Sequence, residues 1–304
     1  LTGCLKRPTP KPFIVVEDLE FATYSAGDGP RPLLLDLYLP NPDHPSQDSA
    51  ATAHPLILYI HGGGWEESSR KICPGKPFSS RGLAMACISY RYSTEAIFPA
   101  QIHDVKAAVR WLRAHAETYR LDPNRFGVLG ESAGGHLGLL LGLSADSPDL
   151  EGDIGSHGEF SSKVGAMVAW YPPTDLSQVP QAFEGPPTPD TMAAVKDRPW
   201  AHLTRLIYQL LDGHAADRAT LAAMANPLTY ITPDDPPVLV MHGGRDDIVP
   251  FRQSEILVAA LAAQGVIVEF SPEPQRGHTM GSAEGDFIDP ALIDQAAEFF
   301  ERQL

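Results

Sequence analysis

Short apolar runs alternate along the chain with segments whose apolar residues recur at helical spacing. This is the rhythm of a mostly parallel sheet flanked by helices. Residues 13–24 and 33–39 predict an opening pair of strands, the second with the in–out alternation of a half-covered strand. Residues 40–54, rich in Pro, Asp and Ser, predict a loop. Residues 56–60, 83–90, 125–129, 164–171, 237–241 and 267–271 are the compact apolar stretches of strands covered on both faces. Ile102, Val105, Ala108, Val109 and Leu112 share one side of a helix predicted over 100–119, and further helices fit 136–144, 252–264 and 290–303. Residues 172–235 break the rhythm with a Pro-rich stretch and then helix-forming sequence around 200–211. That is too long for a connection, so it is expected to be a cap inserted over one end of the sheet. The fold expected is α/β: one unit over 13–304, behind an N-terminal tether over 1–12.

Composition narrows the field. Of 304 residues, 43% are hydrophobic and 20% charged, which excludes a disordered or coiled-coil chain. Lys+Arg 23 against Asp+Glu 38 leaves a net charge of −15, a field that repels phosphate backbones, so no nucleic-acid partner is expected. No apolar run reaches the roughly 18 residues of a membrane span. Cys4, Cys73 and Cys87 offer neither a disulfide framework nor metal-site spacing. The opening Leu1-Thr2-Gly3-Cys4 resembles a bacterial lipobox, and the Pro-alternating stretch that follows suits an extended tether. The expectation from this is a secreted, periplasmic or outer-membrane lipoprotein anchored at Cys4. A plain frayed terminus is the other reading, and with it a cytoplasmic location.

The sharpest chemical signal is Gly130-Glu131-Ser132-Ala133-Gly134, between the strand expected at 125–129 and a helix. A tight strand-to-helix turn that exposes a Ser needs small neighbours two residues to either side. At the end of the strand over 56–60 stands His61-Gly62-Gly63-Gly64-Trp65. A glycine run there can turn amide N–H groups toward an oxyanion, with Gly63, Gly64 and Ala133 as the expected donors. His61 is read as a structural hydrogen-bonding residue.

A Ser hydroxyl needs a base, and the base a carboxylate to fix its tautomer. Beyond the strand at 237–241 lie His242-Gly243-Gly244-Arg245-Asp246-Asp247-Ile248-Val249-Pro250, and the only later His is His278, in a Gly-flanked loop. The chain order Ser, acid, His makes His278 the candidate base. Asp246 and Asp247 compete for the acid; Asp246 is favoured, with the other as a cap of the loop or of the following helix. His242 precedes the acid and falls in the wrong order. Asp104, Asp175, Asp286 and Asp289 are read as surface or capping residues, Glu131 as a brace for the loop, and His136 as a structural residue behind Ser132. Trp65 and Trp200, with Tyr208, are candidate stacking surfaces for a sugar or aromatic acyl group, or else core.

These stretches, together with Tyr90-Arg91-Tyr92-Ser93, residues 98–112 and 122–135, and Arg252-Gln253-Ser254, resemble the α/β-hydrolase superfamily. The resemblance is to its HGGG carboxylesterases, and within them to the group holding bifunctional feruloyl and acetylxylan esterases. It implies Ser132 as nucleophile, His278 as base and the Asp of HGxxDxxVP, here Asp246, as third member, with no metal or organic cofactor. The chain departs from the group's pattern at 71–80, around Cys73-Pro74-Gly75, and at 172–224. The expected activity is hydrolysis of short acyl or feruloyl-type esters, such as those on plant polysaccharide. A peptidase, an amidase or formamidase, and a silent scaffold of the same fold are the alternatives.

Overall fold

The computed structural model describes residues 10–47, 52–145, 147–198, 200–281 and 288–304. Its centre is an eight-stranded sheet. The strands are β1 (Phe13–Ala26), β2 (Gly29–Pro40), β3 (His54–Ile60), β4 (Ala84–Ile88), β5 (Leu121–Glu131), β6 (Ala166–Trp170), β7 (Val238–Gly243) and β8 (Val268–Glu273). They lie in the order β1-β2-β4-β3-β5-β6-β7-β8. β1 and β2 form an antiparallel hairpin, β2 meets β4 antiparallel, and every pairing from β4 to β8 is parallel. Parallel neighbours bring the carboxyl ends of β3, β5, β7 and β8 to one rim, the edge at which open α/β sheets bind ligands. This is the α/β-hydrolase fold.

Both faces of the sheet are covered from β4 to β7, which explains the continuous apolar runs there. The stretch expected at 267–271 to be covered on both faces is instead an edge strand, β8, whose residues are at most half-buried, with Ile267 before it 60% exposed. Leu56, Leu58 and Ile60 point into the larger core with α2 (Ala100–Ala114), α3 (Ala133–Leu143) and α7 (Arg252–Ala263). Ile57 and Tyr59 point the other way, toward Phe78 of α1 (Gly75–Ser80) and Phe299 and Phe300 of α8 (Pro290–Gln303). Between β6 and β7 the chain forms α4 (Pro189–Val195), α5 (Ala201–Leu211) and α6 (Ala219–Met224). The helix expected to run to 119 ends at Ala114, and the chain reaches β5 through turns in which Arg120 has φ +54°.

Two expectations are corrected. Cys73 and Cys87 form a disulfide, because the loop before α1 returns over β4 and brings their Cα atoms to 6.1 Å. Asp104 is neither surface nor cap. It is fully buried, accepts from the Arg91 guanidinium at 2.6 to 3.0 Å and from the Arg91 amide at 2.8 Å, and burial raises its carboxyl above the ordinary range. Asp175 and Asp289 do cap, accepting the amides of Ser177 and Ala291. Cys4, most of the tether and Asp286 lie outside the described residues. No helix among the described residues is long and apolar enough to cross a membrane.

Candidate active site

Ser132 stands between the end of β5 and the start of α3 with φ +50° and ψ −120°, a conformation that non-glycine residues adopt only when their surroundings enforce it. What enforces it is contact on both sides. A Cβ on Gly134 would lie 2.0 Å from the Ile60 carbonyl oxygen, and one on Gly130 would lie 2.1 Å from that of Gly134. The turn therefore closes only with glycine at both places, and the Ser132 amide is tied to the Trp170 carbonyl at 2.9 Å.

His278, from the loop after β8, reaches across to it. Its Nε2 lies 3.0 Å from Ser132 Oγ and its Nδ1 lies 2.7 Å from Asp246 Oδ2. A carboxylate only accepts, so Nδ1 carries the proton and Nε2 is left to accept from the Ser hydroxyl. The Asp246 side chain is fully buried. Its Oδ1 takes the amides of Ile248 and Val249 at 2.9 and 2.8 Å, and His242 Nε2 approaches Oδ2 at 3.1 Å. Burial pushes this carboxyl up, but the hydrogen bonds and charges of His242 and His278 outweigh it and hold the group at about 2. Asp246 thus does the capping expected of its neighbour, while Asp247 is exposed.

The order rule sets His242 aside as a base, and the structure places it against Asp246 rather than Ser132, a bracing position that nothing in the sequence signals. Its Nδ1 lies 2.7 Å from Ser254 Oγ. Since Nε2 donates toward Asp246, Nδ1 accepts from that hydroxyl.

The glycine run after β3 passes over the same rim. Gly63 has φ +90°, and a Cβ there would meet the Glu67 carbonyl oxygen at 2.2 Å. Glu131 braces the run: its Oε1 accepts from Tyr59 Oη at 2.9 Å and from the Gly62 amide at 3.3 Å, and its Oε2 accepts from Tyr171 Oη at 2.7 Å. Burial, with the Glu131 carboxylate adding to it, pushes both phenols well above their ordinary range, so both remain donors. Behind the run, Tyr90 Oη donates to the carbonyls of His61 and Gly62 at 3.1 and 3.2 Å and its ring stacks on His61. His61 Nδ1 donates to the Gly62 carbonyl, His136 Nε2 donates to the Ala225 carbonyl, and burial lowers both imidazoles to about 4. Both are neutral structural groups.

Gly63, Gly64, Ser132, Ala133 and His278 border one cavity of about 430 Å³. Ala133 opens α3, so its amide has no acceptor within the helix. The rest of the wall is largely apolar, with Leu203 and Leu206 of α5, Ile248, Val249, Pro173 and Ile72. Trp65 borders the cavity, but neither tryptophan turns an open ring face toward it. Trp65 is 1% exposed, its ring edge-on to His136, and Trp200 packs on the core and is not among the lining residues. α5 instead brings His202 to the cavity, a residue that no sequence signal singled out. The same helix leans on the glycine run. Leu206 fills the space a Cβ on Gly64 would need, and Arg205 pairs with Glu66, one of the two bonds spanning 3.0 Å. Among the described residues, no group of three or more His, Cys, Asp or Glu side chains is arranged to hold a metal ion.

The family model described as BD-FAE matches residues 35–261. Esterase LipC of Mycobacterium tuberculosis is 31% identical over 79% of this chain and 56% of its own length; the chain spans little more than half of such curated relatives. Among solved structures, a truncated carbohydrate esterase from gut microbiota superposes with a TM-score of 0.76 at 28% identity, covering 98% of this chain and 99% of that one. A bifunctional GH43-CE protein of Bacteroides eggerthii gives 0.76 at 31% identity over 95% of this chain and 38% of that one.

Proposed function

The chain belongs to the BD-FAE family of α/β-hydrolases, and from that premise we propose that it is a serine carboxylesterase working through an acyl-enzyme. The observation that carries this reading is the unbroken Asp246–His278–Ser132 relay, 2.7 and 3.0 Å long, opening on a cavity bordered by glycine amides. Ser132 attacks the ester carbonyl as His278 Nε2 takes its proton. The carbonyl oxygen, now negative, is held by the amides of Gly63, Gly64 and Ala133, each worth roughly 3 kcal/mol in the transition state. Asp246 stays ionised throughout and stabilises the imidazolium. The alcohol departs with the proton from His278, and water, deprotonated by the same ring, releases the acid.

Substrate follows from charge and size. The net charge of −15 disfavours anionic esters, and a cavity of about 430 Å³ suits a short acyl or single-ring aryl group. The similarity to carbohydrate esterases supports acetyl- or feruloyl-type esters of neutral carbohydrate. The test is Ser132→Ala. Turnover of p-nitrophenyl acetate should fall roughly 10⁴-fold or more, and labelling by a fluorophosphonate should vanish while the thermal transition stays in place. A variant that keeps its turnover refutes the reading. A panel of acetyl, feruloyl, long-chain and peptide substrates then separates esterase from peptidase and amidase.

A further inference from the structure

Besides Ser132 and His278, the largely apolar cavity wall carries a few polar residues, among them His202 and Glu67. The leaving alcohol takes its proton from His278 Nε2, so the alcohol half of a substrate must leave beside that ring. The polar residue that the cap brings to the same cavity as His278 is His202, an exposed side chain in the first turn of α5. His278, Arg205 and the carboxylates of Glu66 and Glu67 all act electrostatically on its imidazole. Its partial burial, and then Arg205, lower it from its ordinary value, leaving a neutral ring with one donor and one acceptor nitrogen.

Glu67 is another polar residue of the cavity lining. Its backbone is locked to the glycine run, its amide donating to the Gly63 carbonyl at 3.0 Å, and its exposed side chain borders the cavity. Arg205 neutralises the neighbouring Glu66, whereas Glu67 makes no ion pair among the described residues. Covering a carboxylate with an apolar group is costly. A ligand that offers hydroxyl donors replaces the lost water, and a carboxylate has two oxygens for two adjacent hydroxyls.

We propose that Glu67 and His202 form the leaving-group subsite for the hydroxyls of a neutral sugar, making the enzyme selective for esters of polyols over esters of apolar alcohols. The proposal rests on the esterase reading and adds the residues that choose the alcohol. A sugar ester engages both side chains, whereas the p-nitrophenyl leaving group has no hydroxyl to offer.

The experiment measures kcat/KM for an acetylated xylo-oligosaccharide and for p-nitrophenyl acetate on the wild type, Glu67→Gln and His202→Leu. The ratio of the first to the second should fall roughly 10-fold or more in Glu67→Gln and by a smaller factor in His202→Leu, mainly through KM of the sugar ester. A purely structural role would lower both substrates together and leave the ratio at the wild-type value, which overturns the subsite. A wild type that hydrolyses p-nitrophenyl acetate but not the sugar ester also overturns it, while leaving the esterase reading intact. A wild type that hydrolyses neither overturns both.

Discussion

The rim of the sheet and the cap above it are held together in different ways. At the rim, Ser132, Asp246 and His278 follow strands that are hydrogen-bonded on both sides or close against such a strand, and the backbone at Gly130, Gly134 and Gly243 leaves no room for a methyl group. The cap is three helices of 7, 11 and 6 residues, fixed to the rim by side chains such as Leu206 and Arg205. The three side chains of the relay thus sit where the sheet holds the backbone, and the outer wall of the cavity sits on parts that can be repacked. One substitution made in both places should expose the contrast. Gly134→Ala forces backbone apart at the turn below Ser132 and should cost about 4 kcal/mol or more, together with fluorophosphonate labelling. Gly185→Ala lies before α4, at φ +67° but with nothing within 4 Å of the added carbon, and should cost about 1 kcal/mol with labelling kept. Denaturant unfolding and labelling of the two variants check this; equal costs would erase the difference.

The same division decides what the sequence could reveal. β3, β7 and the inner half of β5 are legible because a strand segment covered on both faces is almost wholly apolar, a purely local pattern, while the polar opening of β5 at 122–125 hides its true start. Ser132, Asp246 and His278 are legible because turn chemistry and chain order constrain them. Contacts between distant segments are not. An Asp reads as surface until Arg91 is seen against Asp104, and three cysteines carry no information on pairing until the loop before α1 is seen to return over β4. The buried place of Trp65 depends on His136 and α3 behind it, not on its neighbours in the chain. In the cap, α4 and α6 are too short for helical periodicity to register.

Acid should attack the rim first. His61 and His136 are buried with imidazoles at about 4, against an ordinary 6.5. Between those values the unfolded chain binds a proton at each ring that the native state does not, so stability falls as pH falls across that window, by about 3 kcal/mol per ring once pH 4 is reached. Asp246 acts lower down. Its contribution is present above its unfolded value near 4 and is lost as pH falls through about 2. His202, exposed at the cavity mouth, contributes less. Urea midpoints at pH 7, 5.5 and 4.5 should decline in step, and a flat profile would mean that both rings are charged in the folded protein.

The smallest effect is the most informative about the cap. Arg205 and Glu66 are each about one-fifth exposed, and the guanidinium holds the Glu66 carboxyl below its usual range. A pair so placed is worth about 1 kcal/mol, less at high salt. A double-mutant cycle of Glu66→Gln and Arg205→Met should return that coupling in unfolding free energy. Its kinetic signature matters more. If α5 is a wall fastened to a rim that is already complete, both single variants should raise KM for an ester several-fold and leave kcat within about two-fold. If the pair helps to hold Gly63 and Gly64 in register with Ser132, kcat must fall with it, since the amides act on the transition state alone. The braces from Glu131 and Tyr90 reach the glycine run from beneath, independently of α5, and therefore favour the first outcome.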